Sequence, residues 1–275
     1  MRYAHYKRLP AKVMGLVTIM LLAADIGNTQ TVVGVYQGSD LACMWRLATN
    51  PATTADEVRV MLLPLFESAG LALSDVDRAA LASVVPQLTG AWCRAIRDGA
   101  GVEALVCSAQ AAGSLFKASY PNPLEIGADR VADAVGARSR YGEPVVVVDF
   151  GTATNIEVVD AEGFFVGGII APGLQTSAQT LFSRGAQLPA INLTAPGDPI
   201  GVSTVTAMQS GIVLGEVDRV DGLVRRIFGQ LGYEGTVVAT GGLAPLIAPH
   251  SQTITRVDGE LTLEGLRLIA DAAER

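Results

Sequence analysis

The stretch Leu21-Leu-Ala-Ala-Asp-Ile-Gly-Asn-Thr29 decides the fold, because it joins an apolar run to a turn that carries an acid. A second β-rich run, Thr31-Val-Val-Gly-Val-Tyr36, follows almost at once. An apolar run, a glycine-containing turn and another β-rich run together predict a two-stranded hairpin. We therefore expect the carboxylate of Asp25 at the end of the first strand, beside the turn.

The same arrangement returns in the second half of the chain. Val145-Val-Val-Val-Asp-Phe-Gly-Thr-Ala-Thr154 leads into Ile156-Glu-Val-Val159. Either copy alone could be an ordinary acid-capped β-turn. Two copies separated by roughly half of the chain indicate two similar domains rather than a short-period repeat. Two such turns can face each other across a cleft between domains and hold a polyphosphate from both sides.

Strands and helices alternate along the rest of the sequence, which is typical of an α/β architecture. We place the domain boundary at Tyr141-Gly-Glu-Pro144, so that the domains comprise residues 20–143 and 144–275. The last helix is expected to carry a hydroxyl cap at its start. The apolar periodicity predicts helices over residues 54–69, 87–98, 129–140, 205–231 and 262–273, with strands over residues 78–85, 104–107, 165–170 and 235–239.

The first 19 residues carry four basic side chains and no acid. With the apolar run from Val13 to Ala24 they resemble a signal peptide. The apolar run leads directly into the Asp25 turn, so we interpret it as the first core strand instead. Residues 1–19 are then an N-terminal extension or a mis-assigned start, with Met14 or Met20 as the initiator. No other stretch is long and apolar enough to predict a membrane span.

Composition narrows the function classes. Hydrophobic residues make up 49% of the 275 residues, which is ample for a core and excludes global disorder. The net charge of −7, from 20 basic and 27 acidic side chains, argues against binding to a nucleic-acid backbone. Three cysteines without a CxxC pair and two histidines exclude a disulfide framework, a zinc site and a Ser-His-Asp triad.

The Asp-x-Gly turns suit phosphate chemistry. A glycine lets backbone N–H groups and the neighbouring Asn or Thr side chains face a phosphate, while the carboxylate can hold Mg²⁺ that bridges phosphate oxygens. After Lys12 the only lysine is Lys117, and no Gly-Lys-Ser/Thr occurs, which excludes a P-loop. No Gly-x-Gly-x-x-Gly follows a predicted strand, so a Rossmann dinucleotide site has no support in the sequence. Thr240-Gly-Gly242 fits either close approach of adenine or ribose or a plain strand–helix turn.

One further motif, Gly127-Ala-Asp-Arg130, opens a predicted helix. An acid in the first turn stabilises the positive end of a helix, and this alone could account for Asp129. Alternatively, Asp129 is a general base beside a substrate hydroxyl, and Arg130 donates hydrogen bonds to an anionic or polar substrate. The sequence leaves both interpretations open.

These motifs, in this order, resemble the acetate/sugar kinase, heat-shock 70 and actin superfamily, and within it the type III pantothenate kinase family. The similarity covers the chain from about Met20 to the C-terminus. The segments that carry it are Asp25-Ile-Gly-Asn-Thr29, Ser83-Val-Val-Pro86, Gly127-Ala-Asp-Arg130, Asp149-Phe-Gly-Thr-Ala-Thr154, Gly167-Gly-Ile-Ile-Ala-Pro-Gly173, Met208-Gln-Ser-Gly211 and Ala239-Thr-Gly-Gly242.

The resemblance implies two ribonuclease-H-like α/β domains with a nucleotide cleft between them, the actin-like ATPase fold. It implies ATP-dependent phosphorylation of pantothenate to 4'-phosphopantothenate, the first step of coenzyme A biosynthesis. The family requires Mg²⁺ and a monovalent cation, K⁺ or NH₄⁺. It also implies a homodimer. From the cysteine usage, the net charge and the lack of a long apolar stretch we expect it to be cytoplasmic and to bind neither nucleic acid nor membrane.

Site residues follow from the resemblance motif by motif. Asp129 is then the catalytic base, Asp149 the ligand of the monovalent cation, and Asp25 the acid near Mg²⁺. Thr152 would contact an ATP phosphate. The ATP loop would comprise Asp25, Ile26, Gly27, Asn28, Thr29, Gln30, Thr31 and Val32, and the substrate contacts would be Tyr120, Gly127, Ala128, Asp129, Arg130 and Thr204.

Several alternatives stay open at this point. Tyr120 could simply be a loop aromatic that shields the core, and Thr204 could be a helix N-cap. The 205–231 helix could form a dimer interface or only pack in the core. Gln187 stands where relatives commonly have lysine. A sugar or acetate kinase of the same superfamily and a non-catalytic regulatory paralogue are the competing functions.

Overall fold

The computed structural model describes residues 19–185 and 188–273. The predicted N-terminal extension, apart from Ile19, and Gln187 lie outside the described residues. The strands are β1 (Met20–Ile26), β2 (Gln30–Gln37), β3 (Asp40–Ala48), β4 (Arg78–Ser83), β5 (Ala104–Val106), β6 (Lys117–Ala118), β7 (Val145–Phe150), β8 (Ala153–Val159), β9 (Phe164–Pro172), β10 (Thr236–Thr240) and β11 (Arg256–Val257). The helices are α1 (Ala55–Ser68), α2 (Pro86–Ala100), α3 (Ala109–Ala112), α4 (Ala128–Tyr141), α5 (Leu174–Arg184), α6 (Thr204–Gln209), α7 (Gly215–Leu231), α8 (Ala244–Ile247) and α9 (Leu261–Ala272).

The described chain divides into two compact units that are discontinuous in sequence. The first unit runs through Phe116 and adds Asn122–Gly136 and the residues from Thr262 onward, while the second comprises Lys117–Pro121 and Ala137–Leu261. The first unit takes up the C-terminal helix because Leu263 packs beside Gly34 and Gly265 lies against Ala132. The boundary at Tyr141–Pro144 stays a prediction.

The first unit contains a five-stranded mixed sheet in the order β3-β2-β1-β4-β5. β1 is antiparallel to β2 and parallel to β4, and β5 continues the parallel half. The core lies between this sheet and helices α1 and α2. It contains the fully buried β1 residues Leu22, Ala24 and Ile26 with Val58, Leu62 and Phe66 of α1 and Leu88, Trp92 and Ile96 of α2.

The second unit contains a six-stranded sheet in the order β11-β10-β7-β8-β9-β6. The β-branched run of β7 forms its centre, antiparallel to β8 and parallel to β10. Val146, Val148 and Phe150 point to one face and pack in a core with Val220 and Val224 of α7. Because alternate residues of a strand lie on the same face, the spacing of these three side chains matches the register of the sheet.

The two predicted Asp-x-Gly hairpins are confirmed, and their registers correspond. Asp25 pairs with Val32 and the next residue, Ile26, pairs with Thr31. In the second unit Asp149 pairs with Asn155, and the next residue, Phe150, pairs with Thr154. In both hairpins the acid therefore lies one residue before the end of its strand.

The helix predicted over residues 205–231 is present with an internal irregularity. α6 continues through a π-helical segment, Ser210–Leu214, into α7. π-Helical turns widen a helix locally and occur often at functional sites. The helix ends at Gly232, whose φ of 80° is the left-handed conformation that glycine adopts without steric cost.

The predicted hydroxyl cap of the last helix is wrong. α9 begins at Leu261, and the Thr262 hydroxyl inside it donates a hydrogen bond of 2.6 Å to the Asp133 carboxylate. Thr262 therefore joins α9 to α4 through a buried acid instead of satisfying the helix end. Among residues 19–185 and 188–273, no helix is long and apolar enough to cross a bilayer.

Candidate active site

The first Asp-x-Gly turn is shaped by Gly27. Its N–H donates to the Gln30 carbonyl at 3.1 Å, and a Cβ at this position would lie 2.9 Å from the same oxygen. Only glycine fits there without displacing the backbone. The turn is also joined to the residue that follows β3, because the Thr49 N–H donates a hydrogen bond to the Thr29 carbonyl at 3.0 Å.

The predicted ATP-loop residues divide by exposure. Asn28, Thr29 and Gln30 are exposed, Asp25 and Gly27 are half-buried, and Val32 is also half-buried. Ile26 and Thr31 are core residues, and the Thr31 hydroxyl shares a 2.8 Å hydrogen bond with that of Thr49. The exposed turn can meet a phosphate, whereas Ile26 and Thr31 fix the turn from below.

The Gly127–Arg130 turn lies at the carboxyl ends of the parallel strands of the first unit. Val84, just after β4, donates its N–H to the Ile26 carbonyl at 3.1 Å, and a Cβ on Gly127 would lie 3.8 Å from the Val84 side chain. The carboxyl ends of parallel strands are where open α/β sheets place their ligands. This neighbourhood brings the Asp129 turn to the strand that carries Asp25.

Asp129 has the surroundings of a proton acceptor. Burial raises the pKa of its carboxyl, while a 2.8 Å hydrogen bond from the Arg130 backbone N–H and the Arg130 charge act in the opposite direction. Its Oδ1 lies against Gly127, where a Cβ would come within 2.5 Å. Asp129 is half-buried, and a partly desolvated carboxylate with a raised pKa is a better base than an exposed one.

The thiol of Cys107 connects the acids of this region electrostatically. Burial, together with the charges of Asp129, Asp25 and Asp133, raises its pKa to about 12. The thiol donates to the Ala128 carbonyl at 3.4 Å, and Cys107 N–H donates to Leu81 of β4 at 2.7 Å. Asp25 and Asp129 thus lie within electrostatic range of one neutral buried group.

The second Asp-x-Gly turn lies beside the Thr240-Gly-Gly242 motif. β10 and β7 are parallel, and Thr240 is in register with Asp149. Gly241 has a φ of 86°, and a Cβ there would collide with the Asp149 carboxylate and the Phe150 carbonyl. On the other side, a Cβ on Gly151 would lie 3.4 Å from Asp149 Oδ2. Glycines therefore leave space around an acid that could hold a cation.

Thr152 is exposed, and its backbone is fixed from behind. Its carbonyl accepts hydrogen bonds from Gly173 N–H at 3.1 Å and from the Thr176 hydroxyl at 2.7 Å. A Cβ on Gly173 would lie 2.5 Å from the carbonyl oxygens of Gly151 and Thr152. The turn and the start of α5 therefore fit together only with glycine at this position.

Tyr120 and Thr204 both lie in the second unit. Tyr120 is half-buried and packs edge-on against Phe165, with ring centroids 6.2 Å apart, as the core-shielding alternative predicts. Thr204 is exposed and begins α6, but the cap is the Ser203 hydroxyl, which accepts from Thr206 N–H at 3.2 Å. The N-cap alternative for Thr204 is therefore wrong. Thr204 instead lines a cavity of about 760 Å³ together with Leu174, Met208, Glu216 and Arg219, among others.

The residues present fit the implied cations. Half-buried Asp25 at a strand end offers the carboxylate oxygen that Mg²⁺ takes when phosphates supply other ligands. Asp149 has glycines on two sides. No group of three or more His, Cys, Asp or Glu side chains in the described ranges could hold a metal alone.

Three features, two in the first unit and one in the second, have no role assigned to them by the sequence. Ser83-Val-Val-Pro86 was part of a motif, yet its place beneath the Gly127 turn follows only from the strand order. Cys107 carried no local signal. Glu216, only 4% exposed, accepts a hydrogen bond from Thr154 at 2.6 Å. An acid among the apolar positions of the 205–231 helix could have indicated it.

Comparison with known proteins agrees with these observations. A family model for type III pantothenate kinase matches residues 21–226. The type III pantothenate kinase of Desulfosudis oleivorans is 45% identical over 259 residues, covering 93% of this chain and all of that protein. Those of Moorella thermoacetica and Frankia alni are 43% and 45% identical, each covering 91% of this chain and 98% of the relative.

Solved structures show the fold. MreB 5 of Spiroplasma citri, in a structure bound to AMPPNP, superposes with a TM-score of 0.55 at 10% identity, covering 94% of this chain and 97% of that one. The ethanolamine utilization protein EutJ from Carboxydothermus hydrogenoformans gives 0.51 at 15% identity, covering 96% and 91%. The predicted actin-like ATPase fold is confirmed. By the family match and these levels of identity, the chain belongs to the type III pantothenate kinase family.

Proposed function

We propose that Asp129 is the catalytic base of this pantothenate kinase, which phosphorylates pantothenate to 4'-phosphopantothenate with ATP in the first step of coenzyme A biosynthesis. One observation carries the assignment. Asp129 is a half-buried carboxylate with a raised pKa, at the carboxyl ends of β1 and β4, and it shares the surroundings of Cys107 with Asp25.

In the proposed step, Asp129 accepts the proton of the primary hydroxyl of pantothenate. The hydroxyl oxygen forms a bond to the γ-phosphorus as the bond from that phosphorus to the β–γ bridging oxygen breaks. ADP leaves with the electron pair. Phosphoryl transfer depends mostly on positioning and on stabilising phosphate charge, so the base adds to a rate that alignment has already raised.

The Gly127–Arg130 turn would bind pantothenate. The guanidinium of Arg130 in this turn has the charge and the donor geometry to hold the substrate carboxylate. Tyr120 and Thr204 are further proposed contacts of pantothenate. For Thr204 the support is its exposed place on a cavity wall that also contains apolar side chains.

The turn at residues 25–32 and Thr152 would bind the phosphates of ATP. Asp25 would hold Mg²⁺, which supplies neutralisation of charge on the phosphate oxygens. Asp149 would hold the monovalent cation, K⁺ or NH₄⁺. The exposed Asn28 and Thr29 side chains and the exposed Thr152 support the phosphate assignments.

The homodimer and the cytoplasmic location are also proposals. The second unit exposes Ile170, Ile200 and Val202 to 66%, 82% and 94%, and exposed apolar side chains favour association with another protein surface. Light scattering on the purified protein would measure a mass near twice 28.6 kDa if the homodimer forms.

The decisive experiment measures ADP release by the purified protein with pantothenate, with and without K⁺. We expect release to require pantothenate and to be faster in K⁺ than in Na⁺. Glucose and acetate serve as control acceptors that other members of the superfamily would use. Equal ADP release without pantothenate, or faster release with a sugar, would reject pantothenate as the substrate.

A further inference from the structure

An ion pair on α7, formed by buried Glu216 and half-buried Arg219, contacts the second Asp-x-Gly hairpin. The Thr154 hydroxyl donates a 2.6 Å hydrogen bond to Glu216 Oε1, and the two residues are only 2% and 4% exposed. Glu216 also pairs with Arg219, three residues later on the same helix. A carboxylate this buried is costly unless charge and hydrogen bonds satisfy it, and here both are present.

The guanidinium of this pair reaches a second part of the hairpin sheet. Arg219 Nη2 donates to the Pro172 carbonyl at 2.8 Å. Pro172 is the last residue of β9, and it lies directly opposite Ala153 in the β8–β9 register. One ion pair therefore holds two neighbouring strands at the same end.

These contacts lie on either side of Thr152. Thr154, held by Glu216, is two residues after Thr152. Pro172, held by Arg219, is one residue before Gly173, whose N–H donates to the Thr152 carbonyl at 3.1 Å. Displacing either anchor moves a segment bonded to the turn that carries the Thr152 side chain.

We propose that Glu216 and Arg219 are positioning residues that fix Thr152 for the ATP phosphates through Thr154 and Pro172. This inference rests on the proposed role of Thr152 in ATP binding. The pair also borders the cavity that Thr204 lines, so a contribution to pantothenate binding is the competing outcome.

The test measures kcat and the KM values for ATP and pantothenate in Glu216→Gln and Thr154→Val, with calorimetric ATP binding as a second readout. Glu216→Gln keeps the shape and removes the charge that pairs with Arg219. Both variants should lose roughly 10-fold to 100-fold in kcat/KM for ATP, because small misplacements of a positioning group have effects of this size. The KM for pantothenate at saturating ATP should stay within about twofold of the wild-type value, because uniform pantothenate binding is not altered.

A matched control exists in the first unit. Glu264 and Arg267 of α9 form an ion pair with the same spacing of three residues, with side chains 10% and 11% exposed. Glu264→Gln removes the same charge from a Glu–Arg pair that belongs to the first unit, whereas the 149–154 turn belongs to the second. It should lower thermal stability and leave ATP affinity unchanged, whereas Glu216→Gln should lower both.

Thr154→Ser provides the rescue, because it keeps the hydroxyl, and it should restore most of the ATP affinity that Thr154→Val loses. If Glu216→Gln does not fold, the Ser and Val variants decide the question by themselves. In the double variant Glu216→Gln, Thr154→Val the two losses should not add fully, because both changes weaken the interactions of the same buried side chain.

Unchanged ATP affinity in folded Thr154→Val, or a rise in the KM for pantothenate alone, would overturn the proposal. Wild-type protein that binds ATP but does not phosphorylate pantothenate would reject the proposed function instead. The calorimetric comparison of ATP affinities would still stand in that case.

Discussion

The two Asp-x-Gly hairpins share the same strand register, but different side chains hold them in place. Thr31 and Thr154 occupy equivalent positions, each opposite the residue that follows the acid, and both are 2% exposed. Thr31 bonds to another hydroxyl, that of Thr49, whereas Thr154 bonds to the carboxylate of Glu216. The motif fixes the path of the backbone, and the residues packed behind it determine the electrostatics of each turn.

This difference fits the charges near each acid. The first hairpin presents Asp25 in a region where Asp129 and Asp133 also act on the Cys107 thiol. A carboxylate at the position of Thr49 would add negative charge beside the turn that carries Asp25. A neutral hydroxyl pair avoids this, while the second hairpin carries its extra acid paired with Arg219.

The largest expected effect distinguishes the role of Asp129 in the first unit from that of Asp149 in the second. Asp129→Asn should lower kcat by about 10²-fold to 10⁴-fold, the usual contribution of a general base. ATP binding, measured by calorimetry, should persist because the change is isosteric. Asp149→Asn is the matched comparison and should mainly weaken activation by K⁺. Near-normal turnover in Asp129→Asn would show that Asp129 is not the catalytic base.

The pH dependence sharpens the same assignment. Burial raises the pKa of Asp129, and a base must be ionised to act, so kcat should fall as pH falls through this raised pKa. The acid limb should therefore lie at higher pH than an ordinary aspartate gives. By linkage, ionisation of a carboxyl with a raised pKa destabilises the folded state as pH rises. Asp129→Asn should thus unfold at a higher temperature than wild type at neutral pH; a lower temperature would contradict this sign.

Much of this site could be predicted from the sequence because its motifs are local. Each Asp-x-Gly turn is specified by adjacent residues, and the helix predicted over residues 54–69 is present as α1, with a capping box between Thr54 and Glu57. The Thr154–Glu216 contact joins residues 62 positions apart, and the C-terminal helix returns to the first unit. Such contacts depend on the strand order, which no local pattern encodes.

A smaller effect compares the two buried threonines directly. Thr154→Val leaves a buried carboxylate without one donor and should cost about 1–3 kcal/mol of unfolding free energy or more. Thr31→Val removes a neutral hydrogen bond and should cost about 0.5–1.5 kcal/mol. Urea unfolding of both variants measures the two values. Equal costs would mean that the two anchors are energetically alike despite the difference in charge.

The smallest effect concerns the alkylation of Cys107. Its rate reports how far solvent reaches the thiol that lies near Asp25 and Asp129. Cys107 is 3% exposed, and its pKa of about 12 keeps the thiol neutral at neutral pH. Alkylation requires the thiolate, so iodoacetamide at pH 8 should leave Cys107 unmodified in the folded protein. Half-buried Cys93 is the internal control and should react first, as peptide mass spectrometry would record.

Cys107→Ala should change kcat only a few-fold, because the thiol supplies packing and one weak hydrogen bond to the Ala128 carbonyl. A fast reaction of Cys107 would mean that the ends of β4 and β5 open to solvent or that the thiol ionises beside Asp129. Asp129, which is half-buried, would then be more exposed, and burial could no longer hold its pKa above that of an ordinary aspartate. The comparison of the two hairpins therefore depends on this thiol staying unreactive. The acids of the first unit lie near a buried neutral thiol, whereas the extra acid of the second hairpin is paired with Arg219.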